Sequence, residues 1–546
     1  MKPILLIILM LMLSPLAVLA QHEHHMPPPA QKKATAPVTK KKVAAPPRKK
    51  AAKKPAAPKP AAAPKAKVAA PAQKAPAAAT PDHQHGHEGH NHEPDAGTMA
   101  PAQNKGGDDQ HLHHTQPSTP GEHAGHEMAG HADTTMDHAG MHGGEGSMSH
   151  FLSLNLPMSR NGSGTGWNPD ESPMYMYMRH SGKWMFMLHG NVFLRYNNQD
   201  VTNKGYRGDA RWDAPSMVMA MGQRRVGKRG LFHASVMLSA DALVTGQRGY
   251  PLLFQSGESA FGEPLVDRQH PHDLFSELSV SYAHSFSGKV DAYAYVGYPG
   301  EPALGATAFM HRSSGMDNPD APLSHHWVDA THITFGVATL GVRVGKFKLE
   351  GSSFTGREPD ENRYDFDRPR FDSRSARLWF APSSNWALQV SHGFIKSPEI
   401  LHAAEDVYRT TASTSYSKRL AGETFFNATG LWGMNKVKNH HGEHAALLEA
   451  SFRRNKNVVY GRYEWVQKST EELNLDEDLY GHDGLFPVHA LTLGTGYDVL
   501  RLGAFRAMLG AQGSVYKADK ALEPLYGRYP LAAQVYLRLY PGLMRM

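Results

Sequence analysis

The amino-acid sequence predicts an all-β protein: a transmembrane antiparallel up-and-down β-barrel of about 16 strands (14–18), preceded by a long disordered N-terminal arm. Three observations predict this fold. An apolar run at the N-terminus indicates secretion, alternating segments recur from residue 184 onward, and the connections between these segments alternate between long and short. Outer-membrane barrels combine such strands with short periplasmic turns and long external loops.

The first twenty residues have the organisation of a secretory signal peptide. Lys2 precedes an apolar run over 4–13, and residues 18–20 supply the small residues of a cleavage site. The run is short for a spanning helix, which needs about 20 apolar residues. We therefore predict a signal peptide at 1–20, removed after Ala20. The 546-residue chain contains no cysteine, so any metal site must use His, Met, Asp or Glu.

Residues 21–82 are dominated by Ala, Pro and Lys, and 21–80 carry 14 Lys or Arg against one Glu. Such a segment has too little apolar surface to offset the entropy of folding. We predict a disordered linker that acts as a spacer and contacts an anionic polymer such as peptidoglycan. Secretion argues against nucleic acid as the partner of this basic segment.

Residues 83–150 form a second low-complexity segment, predicted to be disordered, which holds 14 of the 34 histidines. Imidazole binds copper, zinc and nickel, whereas the thioether of Met prefers Cu(I). Imidazole must be neutral to bind, so binding is expected to weaken below about pH 6. The mixture favours copper over zinc or nickel, and a solvated spacer is the alternative. The candidate ligands are His83, His85, His87, His90, His92, His111, His113, His114, His123, His126, Met128, His131, Met136, His138, Met141 and His142.

Residues 151–183 are predicted to be a periplasmic, plug-like lead-in, and residues 184–546 the barrel. The clearest strand runs from Trp184 to Tyr196, with apolar residues at every second position and an aromatic residue at each end. This pattern is typical of a lipid-facing barrel strand. The last strand is expected to stop at Tyr540, so the chain does not end on the aromatic residue common in such barrels.

The predicted connections alternate in length, which places every long loop on one side of the barrel. Short turns are expected at Ser287-Gly288, Gly345, Ser383-Ser384, Leu420-Ala421 and Asn455-Lys456-Asn457. Long loops are expected near 197–213, 242–272, 300–330, 356–371, 396–406, 434–442, 469–486 and 517–529. If the first strand rises from the periplasm, the long loops lie outside and both termini lie in the periplasm. The partners are then outer-membrane lipid and, as in many large porins, two further copies in a trimer.

Methionines form two ladders in the barrel sequence. Met185, Met187 and His189 fall on the face of their strand that is predicted to line the lumen, where they could pass Cu(I) from site to site. The second ladder, at 217, 219 and 221, has a facing that the pattern does not decide. Packing is the alternative explanation, because Met fills irregular space well.

Two long loops carry possible metal ligands. The first set is Asp267, His270, His272 and Asp273; the second set is His311, His325, His326, Asp329 and His332. Both loops emerge on the same predicted side, so the two sets could converge over the pore and form a tetrahedral or six-coordinate site. The alternative is loop architecture, in which His–Asp hydrogen bonds fold the loops inward. Charged residues at 357–363 are expected to form an ion-pair network that holds a plug or constriction.

Two resemblances add to this interpretation. The segment Met136-Asp137-His138-Ala139-Gly140-Met141-His142 resembles the Asp-His-x-x-Met repeats of outer-membrane copper-resistance proteins of the B type, which implies copper binding by the arm. The barrel portion instead resembles a poorly characterised group of bacterial outer-membrane β-barrel proteins. The segments that carry this second resemblance are 172–175, 184–190, 267–273, 300–305 and 356–365.

These observations predict a metal-handling outer-membrane protein, concerned with copper binding, efflux or resistance, that uses copper ions (zinc or nickel as alternatives) and no organic cofactor. The chain has no Gly-x-Ser-x-Gly elbow, P-loop or His-Glu-x-x-His pair, so no enzymatic activity is expected. Two alternatives stay open: a general or nutrient-specific porin with a spacer arm, and a structural anchor between the outer membrane and peptidoglycan.

Overall fold

The computed structural model describes residues 148–202, 207–438 and 440–544. The predicted signal peptide, the linker and the candidate ligands of the His/Met-rich arm lie outside these residues. The described part contains four short helices: α1 (Asp241–Thr245), α2 (His325–Val328), α3 (Glu477–Tyr480) and α4 (Glu523–Tyr526). Single 3-10 turns occur at Met158–Arg160, Phe309–His311, Ala330–His332 and Lys520–Leu522. None of the helices in the described ranges is long and apolar enough to cross a membrane.

Strands account for most of the described chain. They are β1 Met176–Ser181, β2 Trp184–Asn198, β3 Ala210–Asp213, β4 Ser216–Val226, β5 Gly230–Leu238, β6 Tyr250–Ala260, β7 Glu263–Gln269, β8 Phe275–Ser287, β9 Val290–Gly297, β10 Val337–Val344, β11 Phe347–Phe354, β12 Ser373–Phe380, β13 Trp386–Ile395, β14 Val407–Ala421, β15 Thr424–Val437, β16 Gly442–Arg454, β17 Asn457–Ser469, β18 Leu485–Leu502, β19 Phe505–Lys517 and β20 Leu531–Pro541.

Sixteen of these strands (β2, β4, β5 and β8–β20) form one closed antiparallel sheet. Each pairs with the next along the chain, and β20 returns to pair with β2, for example at Val192↔Leu539. Strand β1 pairs with the first half of β2, β3 pairs with its last residues, and β6 and β7 form a separate hairpin. The predicted 16-stranded up-and-down barrel is confirmed, and the last strand ends one residue later than expected, at Pro541.

The predicted alternation of connections is also present. Long loops at 199–215, 239–274, 298–336, 355–372, 396–406, 470–484 and 518–530 lie on one side, and turns of two to five residues lie on the other. The long loop expected near 434–442 was wrong: β15 continues to Val437 and β16 begins at Gly442, so this connection has only four residues. The turn expected at Leu420-Ala421 was misplaced by two residues. Strand β14 continues through Ala421 and the turn is at 422–423, where Gly422 adopts φ +52°. A left-handed backbone of this kind favours glycine.

The outer face of the barrel is apolar. Along the strands, exposed large apolar side chains alternate with buried residues, and Leu340, Leu448 and Leu493 are each more than 60% exposed. A folded protein in water rarely exposes so large a contiguous apolar surface. In lipid, every backbone N–H and C=O group must find a partner within the protein. A closed sheet meets this requirement because every strand has two hydrogen-bonded neighbours, and its apolar exterior can contact lipid.

Leu340→Arg is expected to test this lipid-facing surface. Leu340 lies in the middle of β10 and is 70% exposed, and Arg near the centre of a bilayer destabilises a barrel by about 2–4 kcal/mol. Reversible guanidine unfolding in lipid vesicles measures the decrease in the free energy of unfolding. The matched control is Leu479→Arg, since Leu479 is 74% exposed on α3 in a long loop and should tolerate the change. Equal losses in the two variants would contradict the lipid-facing assignment.

The loop at 298–336 folds into the lumen and packs against the barrel wall. Its backbone N–H groups at Ala303 and Gly305 donate to serine hydroxyls on β11 and β13 at 2.7 and 2.9 Å. Farther along, Asp317 and Asp320 accept hydrogen bonds from buried arginines on β16, β2 and β20. The loop therefore crosses the lumen from one side of the barrel to the other.

The lead-in, residues 148–175, lies at the short-turn end of the lumen. The Asn155 side chain donates to the carbonyl of Ser287 at 3.0 Å, and the N–H of Glu171 donates to the carbonyl of Ser384 at 3.1 Å. Trp167 packs on Trp379 of β12, with ring centroids 6.3 Å apart. Most residues of this segment are buried, so the lead-in fills this mouth of the barrel.

Candidate metal centre

Five histidines from two long loops meet inside the long-loop half of the barrel. Strand β7 ends at Gln269, and His270 and His272 follow it directly. The lumen loop contributes the other three: His325 and His326 from α2 and His332 from the 3-10 turn that follows. We call this group the five-histidine centre. All five residues are at most 8% exposed.

The five imidazole rings form a closed circle. In the order His270, His326, His325, His332, His272 and back to His270, successive ring centroids are 5.3, 5.2, 5.1, 5.2 and 5.9 Å apart. One ring nitrogen from each of three of them (His270, His325 and His326) lies within 4.8 Å of the other two. Such a separation leaves room for an ion whose nitrogen ligands lie about 2.0–2.1 Å away.

Acceptors outside the circle orient the rings. Nδ1 of His272 faces Asp241 at 2.8 Å, and Nδ1 of His325 faces Asp329 at 2.7 Å. Nδ1 of His332 faces the backbone carbonyl of Asp329 at 2.8 Å. A proton on each Nδ1 can be donated to these acceptors, and Nε2 is then unprotonated and carries a free lone pair. Carboxylate or carbonyl groups hold metal-binding histidines in this same way.

The remaining two rings also have acidic neighbours. Nε2 of His270 is 3.2 Å from Glu258 of β6, and Nδ1 of His326 is 3.7 Å from Glu358. The centre is therefore surrounded by four carboxylates from three different loops. Asp329 and Glu258 are also paired with Arg312 and Arg363, so an added positive ion would be stabilised mainly by Asp241 and Glu358.

Four of the five rings have a buried nitrogen without a hydrogen-bond partner. It is Nε2 in each case, and the four rings are those of His272, His325, His326 and His332. Burial, the adjacent histidines and Arg363 lower the pKa of His270 well below 6.5, and burial with the adjacent histidines does the same for His332. These two imidazoles are thus neutral, and able to bind a metal, at neutral pH.

Close backbone approach also shapes the centre. Gly257 of β6 has φ +107°, and a Cβ added there would lie 2.3 Å from Cε1 of His326. On the other side of α2, a Cβ added to Gly433 of β15 would lie 2.4 Å from the carbonyl oxygen of Trp327. Glycine at both positions therefore lets α2 lie between the β6–β7 hairpin and the barrel wall.

Of the predicted loop ligands, Asp329 lies beside the circle as an acceptor, and three others lie away from it. Asp267 accepts hydrogen bonds from the N–H of Phe254 at 2.7 Å and the hydroxyl of Tyr526 at 3.1 Å. Asp273 forms an ion pair with Arg363 at 3.4 Å, so its carboxylate is already paired. His311 lies instead beside His189, with ring centroids 5.4 Å apart. The expected network at 357–363 is built differently from the prediction: Arg363 pairs with Glu258 and Asp273 on another loop, rather than with the acids of its own segment.

The predicted methionine ladders both face the lumen. Met185 and Met187 of β2 are buried, and so are Met217 and Met219 of β4, while the alternate residue Phe186 is exposed. His189 lies on the same face and directs Nδ1 at the backbone carbonyl of Tyr175, at 2.8 Å. The facing of the second ladder, which the sequence pattern leaves undecided, is inward.

A cavity of about 420 Å³ leads from the long loops to the five-histidine centre. It reaches Glu258, His326 and Glu358 at its inner end. Burial and the neighbouring carboxylates raise the pKa of Glu399 in its wall to about 8. The acids that line the outer part are Glu399, Glu405, Glu443, Glu471 and Glu472. A carboxyl with the raised pKa of Glu399 is mostly protonated at neutral pH, and a bound cation would favour its ionised form.

Comparisons with known proteins return structural similarity at low sequence identity. OmpF of Salmonella typhi aligns with a TM-score of 0.41 and 9% identity, over 66% of this chain and 100% of that one. An anion-selective porin from Comamonas acidovorans gives 0.40 and 12%, over 66% and 99%. A loop L8 deletion mutant of OmpT, an outer membrane protein of Vibrio cholerae, gives 0.39 and 9%, over 66% and 99%. No family model and no curated protein matches the chain.

The fold itself defines the class of the protein. A closed sheet of sixteen antiparallel strands, with an apolar exterior and alternating long loops and short turns, is an outer-membrane β-barrel that is porin-like in its strand number. Within that class, the chain carries a buried circle of imidazoles in the lumen and a methionine-lined wall.

Proposed function

We propose that this outer-membrane barrel binds and handles first-row transition metal ions, with copper as its principal ion. The observation that carries the proposal is the set of four buried Nε2 atoms without a partner, in a circle of five imidazoles with acidic neighbours. Each buried polar atom left unpaired destabilises a protein by about 1–3 kcal/mol. A bound metal ion would remove that penalty for each Nε2 that became its ligand, and the nitrogens of His325 and His326 lie close enough to that of His270 to share one ion.

The choice of metal follows from ligand chemistry. Neutral imidazole binds zinc, copper and nickel well, and a hard ion such as calcium or magnesium prefers oxygen ligands. Copper is favoured because the histidines of the arm at 83–150 are interspersed with methionines, which suit Cu(I). In this proposal the arm lies in the periplasm and collects the metal there, and the barrel provides a more selective site in the membrane.

The general-porin alternative has less support from the lumen. A wide aqueous pore would leave the charged groups of its wall in contact with water. Here Arg195, Arg377 and Arg538 face the lumen and are each at most 1% exposed, because loop 298–336 and the lead-in pack against them. Contact of the 21–82 linker with peptidoglycan and assembly into a homotrimer remain proposals of ours.

Metal tolerance of a deletion strain tests the proposal. We expect sensitivity to copper that the full chain rescues, and that neither of two altered chains rescues fully. The first lacks residues 83–147; the second carries His325→Ala with His326→Ala. A chain that lacks residues 27–80 is the matched deletion control and should rescue tolerance. Unaltered tolerance to copper, zinc and nickel in the deletion strain would overturn the proposal.

Asp241→Asn is expected to weaken metal binding at the centre by about 10- to 100-fold, the usual effect of losing a carboxylate that orients a ligating histidine. Asn keeps the oxygen that accepts the N–H of Ser216, but its amide cannot accept the Nδ1 proton of His272. Competition against a chelator of known affinity measures the change. Asp478→Asn, at an exposed position on α3, is the control and should leave the affinity unchanged.

A further inference from the structure

One side of the lumen is lined by methionines. Two buried apolar clusters contain no residue type except Met, and Met221 belongs to both. Together they hold 13 of the 16 methionines between residues 148 and 544. They come from β1, β2, β4 and β5, from the lead-in, from the lumen loop and, in the case of Met544, from the segment that follows β20. We call this surface the methionine wall.

Strand pairing places these methionines in rows across the sheet. Met178 of β1 pairs with Met187 of β2, which pairs in turn with Met221 of β4. In a second row, His189 pairs with Met219, which pairs with Met237 of β5. Directly paired residues have Cβ atoms about 4.5–5.5 Å apart. Flexible thioethers at that spacing can therefore reach one ion together.

The wall runs along the barrel and ends near the five-histidine centre. Met217 pairs with Asn191, which lies six residues after Met185 on β2. The wall is therefore about 20 Å long in the strand direction. At the end nearer the long loops, the wall includes Met310 of the lumen loop. The adjacent Phe309 packs against His325, with ring centroids 5.5 Å apart. One side chain thus separates the wall from the imidazole circle.

Packing alone does not account for this composition. Leu and Met have similar volumes, and an apolar cluster that only fills space would draw on Leu, Val and Ile as well. The inward faces of the other strands are polar or mixed, for example Gln389 on β13 and Thr411 on β14. A stripe of neutral sulfur atoms in such a lumen is suited to a soft monovalent ion.

We propose that the methionine wall binds Cu(I) and forms a series of sites between the short-turn mouth and the five-histidine centre. The proposal goes beyond the metal centre and does not depend on that centre holding an ion. It requires that several wall methionines ligate the metal directly through sulfur, and that buried methionines outside the wall do not.

The test uses the full chain labelled with [methyl-13C]methionine in detergent micelles and titrated with Ag(I), a redox-stable stand-in for Cu(I). Methyl resonances of wall residues such as Met187, Met219 and Met221 are expected to shift. Those of Met316 and Met508, which are buried in a different cluster, should stay in place. Single Met→Leu changes assign the resonances, and Leu conserves the side-chain volume.

A triple variant and its matched control decide the outcome. With Met187→Leu, Met219→Leu and Met221→Leu, the remaining wall methyls should need at least tenfold more Ag(I) to shift, whereas Met316→Leu with Met508→Leu should change nothing. The arm is present in every form and affects all of them equally. Wall methyls that never respond, or a triple variant that responds like the unaltered chain, would overturn the proposal.

The result is separable from the fate of the five-histidine centre. His325→Ala with His332→Ala should leave the Ag(I) response of the wall unchanged. If the wall responds to Ag(I) but the centre binds no divalent metal, the proposed function is contradicted and the proposal for the methionine wall is not. If the centre binds metal but the wall methyl groups do not respond to Ag(I), the proposal for the methionine wall is contradicted and the proposed function is not.

Discussion

Replacing His325 and His332 together by Ala is expected to remove one bound metal ion per chain. His325 contacts three of the other four rings of the centre, and His332 connects it to His272. The three rings that remain no longer surround a common point, and we expect the affinity to fall by at least 100-fold. Metal content after equilibration with a competing chelator, measured by plasma mass spectrometry, reports the loss.

The matched control is His180→Ala with His392→Ala, two exposed histidines on barrel strands. Both variants keep the arm, so metal bound by the arm cancels in the comparison. We expect the control to hold as much metal as the unaltered chain. Equal metal content in all three proteins would mean that the imidazole circle is structural.

Asp317→Ala is expected to free part of the lumen loop and to raise the ion conductance of the barrel. Asp317 accepts hydrogen bonds from Arg453 and Arg538, whose side chains are at most 3% exposed. Burial opposes ionisation of this carboxyl, but the two guanidinium groups hold its pKa below the usual value. Removing one partner of a buried ion pair destabilises by about 3–5 kcal/mol. The loop then loses its anchor on β16 and β20.

Single-channel recording in planar bilayers measures that change. The unaltered chain should conduct weakly and the variant in larger steps, while β-sheet content stays the same because strand pairing does not involve Asp317. Asp365→Ala removes an exposed loop acid and serves as the control. Unchanged conductance in Asp317→Ala would show that this ion-pair network does not hold the loop in the lumen.

Strand number and loop alternation could be predicted because each rests on local signals. Period-two patterns mark the strands, and a closed sheet fixes how the connections alternate. The turn at 422–423 was misplaced because Leu420 and Ala421 differ little from strand residues, whereas Gly422 is the residue with a left-handed backbone. The facing of Met217 and Met219 could not be decided because Val218 and Ala220, which alternate with them, are also apolar.

Part of the candidate site could be predicted as well. The predicted strand order places the two His-bearing loops on the same side of the barrel, so we expected them to be able to meet. In the structure their histidines are in contact. Asp241 and Glu258, the carboxylates beside His272 and His270, carry no such signal. They lie at the start of a short helix and in a hairpin that is separate from the barrel sheet, and only the folding of loop 239–274 brings them to the histidines.

The most direct test of the account is anomalous X-ray diffraction at the metal edge from crystals of the full chain grown with copper or zinc. We expect one strong peak inside the circle of imidazoles, about 2.0–2.1 Å from at least three ring nitrogens. A circle without such a peak, in crystals whose protein retains metal elsewhere, would contradict the assignment of the five-histidine centre as a metal site.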